Sequence, residues 1–297
     1  MVGHERPATK GITMYVVTGA TGSLGRLAVR QLLDRVPADQ VAAVVRDKGK
    51  AADLAARGVE LRVADYDDPA SLRGAFAAGD RVLFISGSEV GRRAAQHQAV
   101  VDAAKDAGVA LLAYTSVLGG PKADFDLARD HQYTEQAIID AGVPHTFLRN
   151  GWYTEVYTES LGQVLERGAL VGSAGRGRVA SAARADYAAA AVAVLTGEGH
   201  ENKAYELSGD VAWDLDEYAA EVSRQSGKEI TYRSVTPEEH REILTAAGLP
   251  EPVVALLLDI DGAIARGLLA GTSGELSRLI GRPTTPLSDS VAAALRS

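Results

Sequence analysis

The residues of this chain best suited to chemistry fall in a few short clusters. Gly19, Gly22 and Gly25 follow the β-branched run that starts at Tyr15 and lead directly into an apolar-periodic segment. A strand, a tight turn and a helix start, in that order, make an anion cradle. One glycine lets the chain turn, one lets backbone N–H groups approach a pyrophosphate, and one lets the helix pack on the strand. The anion then sits at the helix N-terminus, where unpaired N–H groups and the helix dipole favour negative charge. Gly19, Thr21, Gly22, Ser23, Leu24 and Gly25 are therefore expected to hold a dinucleotide; the bland alternative is a glycine-rich turn without a ligand.

Other clusters end the apolar runs that follow. Arg46 closes Val41–Val45, where an acid would bond the ribose hydroxyls of NAD and an arginine can pair with a 2′-phosphate. NADPH is the expected cofactor, with Lys48 a lesser second cation and Asp47 leaving the local charge mixed. Asp65 and Tyr66 end the third run and are expected beside the adenine, although Asp67, Asp68 and Pro69 would make a helix start there in any case. Ser86, Gly87 and Ser88 end the fourth run, where small residues let the cofactor pass closely. Tyr114, Thr115 and Ser116 end the fifth and complete the expected cofactor set.

The reducing chemistry is read from an absence. A common dehydrogenase pair sets a lysine four positions after a tyrosine, lowering the phenol's pKa so that it can protonate a developing alkoxide. Tyr133 is present, but position 137 is alanine. Without that donor an ordinary ketone is a poor substrate. A quinone suits better, because its reduced anion has phenol-like basicity, near ~10, and water can protonate it. Asn150, Trp152, Tyr153 and Tyr157 form a dense corner after the sixth run in a chain with 5 % aromatic residues. Flat rings stack on flat acceptors, so Trp152, Tyr153 and Tyr157 are the expected acceptor site. Asn150 and Tyr153 are the expected catalytic residues, Asn150 holding the cofactor carboxamide or an acceptor oxygen. The same aromatics would equally serve as core anchors. His97 and His131 sit on expected helices and read as structural. Arg184 and Asp186 read as a salt bridge with a helix cap.

These clusters need a frame. Helices are expected over Leu24–Val36, Ala51–Arg57, Pro69–Ala78, Arg93–Ala107 and Asp130–Ala141. They alternate with strands at Val41–Val45, Val59–Tyr66, Arg81–Ser86, Ala110–Ser116 and His145–Asn150. Alternation of this kind predicts an α/β, Rossmann-type, doubly wound parallel sheet with ligands outside the carboxyl ends of its strands. Residues 14–153 would be this dinucleotide-binding domain and 154–297 a smaller C-terminal α/β lobe covering the substrate. In that lobe a helix is expected over Thr154–Arg167 and another from Asp186 to Leu195. Tyr205–Ser208 is a candidate strand returning to the main sheet. Asp214 with Glu217, and Thr236 with Glu239, read as capping boxes.

Composition sets the outer bounds. The chain has 297 residues and a formal charge of −8, which argues against nucleic acid as a partner. It has no cysteine, so no thiolate nucleophile and no disulfide framework. No apolar stretch approaches the length of a membrane span, and no histidine spacing suggests a metal. A cytoplasmic protein acting on a small molecule is expected, with a homodimer left open. Residues 1–13 are polar and aperiodic, and Met14 stands where the first strand begins. That extension is expected to be disordered or non-native, and dispensable.

Taken together, VTGATGSLG at 17–25, VVRD at 44–47, ADYDD at 64–68, SGSEVGRRAAQH at 86–97, AYTS at 113–116, LRNGWYTE at 148–155, ASAARADYAAAA at 180–191 and LIGRPTTPLSDSV at 279–291 carry a resemblance. The chain resembles the NmrA-like atypical short-chain dehydrogenases and, more closely, the bacterial type 2 NAD(P)H:quinone oxidoreductases. The resemblance implies an NADPH-preferring reductase of small quinones. The cofactor would lie across the glycine loop and Arg46, and the acceptor over the nicotinamide beneath the C-terminal lobe. It also implies that the missing tyrosine–lysine pair is normal. Gly87 departs from the pattern, which leads one to expect serine. Two further readings stand beside a quinone reductase: a non-enzymatic NADP-binding redox sensor, and a reductase of other flat electrophiles such as triarylmethane dyes.

Overall fold

The computed structural model describes residues 13–89 and 91–296, so all of the N-terminal extension except Thr13 lies outside the described residues. The strands β1 (Tyr15–Val17), β2 (Val41–Val45), β3 (Glu60–Val63), β4 (Arg81–Phe84), β5 (Leu111–Val117) and β6 (His145–Asn150) alternate with helices α1 (Ser23–Leu33), α2 (Ala52–Ala56), α3 (Pro69–Leu72), α4 (Arg93–Ala107) and α5 (Asp126–Ala141). Beyond them come α6 (Glu155–Thr158), α7 (Leu161–Arg167), β7 (Ala169–Gly172), α8 (Arg184–Thr196), β8 (Lys203–Leu207), α9 (Leu215–Ser226) and β9 (Thr231–Ser234). The chain closes with α10 (Pro237–Ala246), α11 (Glu251–Ala265), α12 (Glu275–Ile280) and α13 (Leu287–Ala294).

Seven strands form one parallel sheet in the order β3-β2-β1-β4-β5-β6-β8. The sequence explains why both faces are covered. Adjacent strand residues point to opposite faces, and here both neighbours are apolar. Val17, Ala43, Leu83 and Leu111 pack towards α1 and α8, while Val16, Ala42, Val82 and Leu112 pack towards α4 and α5. A strand buried on both faces reads as a continuous apolar run. Strand order reverses between β1 and its two neighbours, β2 and β4, which opens a crevice at their carboxyl ends.

Residues after 153 do not form one separate block. The strand expected at Tyr205–Ser208 is β8, paired in parallel with β6, and α8 lies in the same apolar layer as α1. The remaining helices and the two-stranded β7–β9 sheet share a further core around Trp213, Leu215, Tyr218 and Ile260. The covering lobe is therefore interrupted by a return to the main sheet.

Local expectations fail where side chains take backbone groups. The helix from Pro69 stops at Leu72 because Arg62 bonds Ala75 O at 2.9 Å and Asp80 accepts the Ala77 N–H at 2.9 Å. The expected 154–167 helix is broken into α6 and α7 at Ser160, whose hydroxyl donates to Tyr157 O at 3.0 Å and competes with the helical bond. Asp186 is not a helix cap. It lies in the first turn of α8, fully buried, and accepts from Arg282 Nη2 at 2.6 Å and Thr285 N at 2.7 Å. Nor does it pair with Arg184, which bonds Glu159. The N-terminal N–H of α8 is capped instead by Glu155 at 2.9 and 3.0 Å. The Asp214–Glu217 capping box is complete, whereas at Thr236 the side chain alone caps.

Candidate active site

The three glycines divide their work. Gly19 has φ +57°, which an L side chain rarely adopts. A Cβ on Gly25 would stand 2.8 Å from Ala20 Cα and collide with Gly19 O, so the start of α1 can lie this close only on glycine. Gly22, the exposed N-cap of α1, meets nothing nearer than Gly19 O at 3.3 Å and faces a cavity of about 590 Å³. Gly19, Thr21 and Gly22 form one wall. The ends of β2, β3 and β4 form the others: Arg46, then Asp65 and Tyr66, then Ser86, Gly87 and Ser88. This crevice suits an extended dianionic nucleotide, with bare backbone at its centre and cations at the β2 end.

The rest of the expected cofactor set is not part of that wall. Ser23 and Leu24 belong to α1, Leu24 in the core. Thr115 Oγ1 accepts the Ser86 N–H at 2.9 Å, and Ser116 donates to Glu135 at 2.6 Å. The Tyr114 side chain is not in the crevice. It is fully buried against Phe84, 2.8 Å from His131 Nδ1, because its strand position points to the α4–α5 face. Glu89, readable from the sequence as either a ribose contact or a surface charge, lies in the wall, and so do Arg26, Lys50 and Gln96, which sequence reasoning missed. Lys50 rather than Lys48 is the second cation beside Arg46, while Asp47 turns away to accept the Gly49 N–H at 2.8 Å. A basic residue directly after Gly25 and another four positions after Arg46 were the available signals.

Tyr66 supports the floor. Its hydroxyl lies 2.5 Å from Thr18 Oγ1 and 3.0 Å from Ile85 O, and burial holds its phenol well above the usual range. Gly87 is fastened to α4: its N–H donates to His97 Nε2 at 2.9 Å and its carbonyl accepts from Arg93 at 2.6 Å. A Cβ on Gly87 would stand 3.1 Å from Gln96 Oε1, which fits glycine at this position.

Among the described residues no tyrosine–lysine pair faces the crevice. Tyr133 is 47 % exposed on the outer side of α5 and bonds Gln98 at 3.1 Å. The inner side of that helix carries Ala128, His131, Thr134, Glu135 and Ile138. Glu135 is spent on Arg149, at 2.9 and 2.7 Å. Burial pushes His97 and His131 down to about 3, so both are neutral.

The aromatic corner splits in two. Tyr153 packs edge-on to Tyr187 at 5.2 Å under the Arg184 guanidinium. Trp152 and Tyr157 join the lobe core, Tyr157 edge-on to Trp213 at 4.9 Å. Asn150, at the end of β6, is buried; its Nδ2 donates to the Tyr153 hydroxyl at 3.3 Å. Its Oδ1 is buried with no partner among the described residues. A buried amide left half-satisfied is costly, and the unpaired Oδ1 can only accept a hydrogen bond.

Fold and crevice together define a dinucleotide-binding protein of the Rossmann type. The comparisons carry this further: residues 19–198 match the NAD(P)H-binding family, to which the chain belongs. It is 47 % identical over 278 residues to quinone oxidoreductase 2 of Escherichia coli, covering 94 % of this chain and 97 % of that one. The structure of an NADPH-dependent quinone oxidoreductase from Escherichia coli, complexed with NADPH, superimposes with a TM-score of 0.92 at 46 % identity, over 95 % of this chain and 100 % of that one. The Citrobacter triphenylmethane reductase complexed with NADP(H) superimposes with a TM-score of 0.91 at 44 % identity, over 94 % and 99 %. Among the described residues no helix is long and apolar enough to cross a membrane.

Proposed function

We propose that this protein is an NADPH-dependent reductase of small quinones. The observation that carries the reading is the orientation of Tyr133 away from the crevice, with both neighbouring histidines neutral and buried. Among the described residues no side chain there serves as a strong proton donor, which favours an acceptor that gives a weakly basic anion on taking up hydride. A quinone does.

NADPH supplies a hydride from nicotinamide C4. Gly19, Thr21 and Gly22 would hold its pyrophosphate, Arg46 with Lys50 its 2′-phosphate, Asp65 and Tyr66 its adenosine, and Ser86, Gly87 and Ser88 its nicotinamide ribose. The chain's contribution is then proximity and orientation. Asn150 hydrogen-bonds the acceptor oxygen or the carboxamide, positioned by its contact with Tyr153. Trp152 and Tyr157 bound the acceptor from the lobe side and Tyr153 from the sheet side, and water supplies the single proton that completes the hydroquinone. We place the reaction in the cytoplasm, which supplies reduced nicotinamide.

Mixing the protein with NADPH and 1,4-benzoquinone should give loss of NADPH absorbance well above the uncatalysed rate, with cyclohexanone inert. Turnover of cyclohexanone, or NADPH binding without any quinone turnover, would reject the proposal; the latter would leave the redox sensor. The 44 % identity to a triphenylmethane reductase favours one further acceptor class, planar cationic dyes, testable in the same assay with malachite green.

A further inference from the structure

The wall at the β2 end carries three cations of unlike character. Arg46 is 71 % exposed and its nearest carboxylate is Glu89 at 3.9 Å. Arg26 is fixed. It sits in the first turn of α1, directly after Gly25, and its Nη1 donates to both oxygens of Asp53 at 3.0 and 2.8 Å. Its Nη2 donates to the carbonyl of Lys50. These bonds occupy at most three of the five guanidinium N–H groups, and Arg26 also lines the crevice. Lys50 plays two parts: its carbonyl orients Arg26 and its side chain lines the same wall. Asp53 itself is absent from the crevice wall.

We propose that Arg26 is a third binding residue for the cofactor's 2′-phosphate, acting with Arg46 and Lys50, and that Asp53 is its positioning residue. The inference rests on the NADPH reading above. A guanidinium is a planar fork matched to phosphate oxygens, and one already immobilised loses little freedom when it binds. NADH carries a neutral hydroxyl at that point, so the contact discriminates between the two cofactors. Asp53 has two opposed effects. Its charge offsets that of Arg26, and its two bonds fix where the remaining N–H groups point. Asp53 is solvent-exposed, so its charge acts on the ligand through water and is screened by salt, whereas the orientation it imposes is not. The positioning effect therefore outweighs the masking effect.

The test needs no turnover. Binding of adenosine 2′,5′-bisphosphate and of 5′-AMP is measured calorimetrically at two salt concentrations, for the intact chain and for Arg26→Gln, Asp53→Asn and Arg46→Ala. Arg26→Gln should weaken the bisphosphate about tenfold, leave 5′-AMP within about twofold, and lessen the salt dependence. Asp53→Asn should weaken the bisphosphate about threefold with the salt dependence kept. The 5′-AMP values show whether the crevice is still folded. Tighter bisphosphate binding by Asp53→Asn would overturn the positioning role. Equal losses for both ligands in Arg26→Gln would overturn the 2′-phosphate assignment. An intact chain that does not distinguish the two ligands would instead overturn the NADPH reading and this proposal with it. Discrimination lost in Arg46→Ala but kept in Arg26→Gln would overturn the proposal alone.

Discussion

His97 Nε2 accepts the Gly87 N–H at 2.9 Å, which ties α4 to a loop in the crevice wall. The other ring nitrogen lies 2.8 Å from Thr134 Oγ1, whose own hydroxyl donates to Asp130 O at 2.7 Å. Thr134 can therefore only accept from the ring, and the proton belongs on Nδ1. A doubly protonated ring would set N–H against N–H at Gly87.

Acid stability follows from that arrangement. Burial, reinforced by Arg93, holds His97 and His131 at about 3, below the ordinary 6.5. Between those values the unfolded chain binds protons on both rings and the folded chain does not. Their contribution is complete above pH 6.5 and is lost as pH falls, at about 1.4 kcal/mol per pH unit for each ring. Urea unfolding of the intact chain and of His131→Gln between pH 7 and 4.5 should show a shallower slope in the variant by that amount. Identical slopes would contradict the account.

Arg46→Ala should raise the KM for NADPH at least about tenfold, the loss of a charge-assisted bond, and leave that for NADH nearly unchanged. Equal effects on the two cofactors would exclude a 2′-phosphate contact.

Tyr133→Phe should leave kcat and KM within about twofold, as for other surface substitutions. The hydroxyl bonds Gln98 on the outer face of α5, and a large fall in kcat would mean that the helix presents another face in solution.

Asn150→Ala should lower kcat with benzoquinone by about 10²-fold, as loss of one oriented donor at a developing oxyanion does, with the melting temperature within a few degrees. Asn150→Asp should be slower still, since it sets negative charge where more develops. A change confined to the KM for NADPH would assign Asn150 to the carboxamide instead.

The sequence is legible where one local rule decides. The glycine spacing and the paired apolar neighbours such as Val16 and Val17 specify a cradle and a doubly covered sheet because burial of both strand faces leaves no alternative. Arg46 is legible because a strand end names its own place. Arg26 and Lys50 are not, since their roles exist only once α2 lies against α1. Neighbours such as Trp152 and Tyr153 cannot be assigned by adjacency, because a single peptide step carries them into different cores. Asp186 resembled a cap because its partners, Arg282 and Thr285, come from near the C-terminus.

That last clasp bears on how the chain is held together. A carboxylate with no solvent exposure inside a helix is costly without its partners. Those partners lie 96 and 99 positions further along the chain. A segment ending at residue 198, though it spans every residue of the family match, lacks both partners and leaves Asp186 uncompensated in the layer formed by α1 and α8. The glycine-loop half of the chain therefore cannot by itself satisfy this carboxylate; the segment carrying Arg282 and Thr285 must close over it.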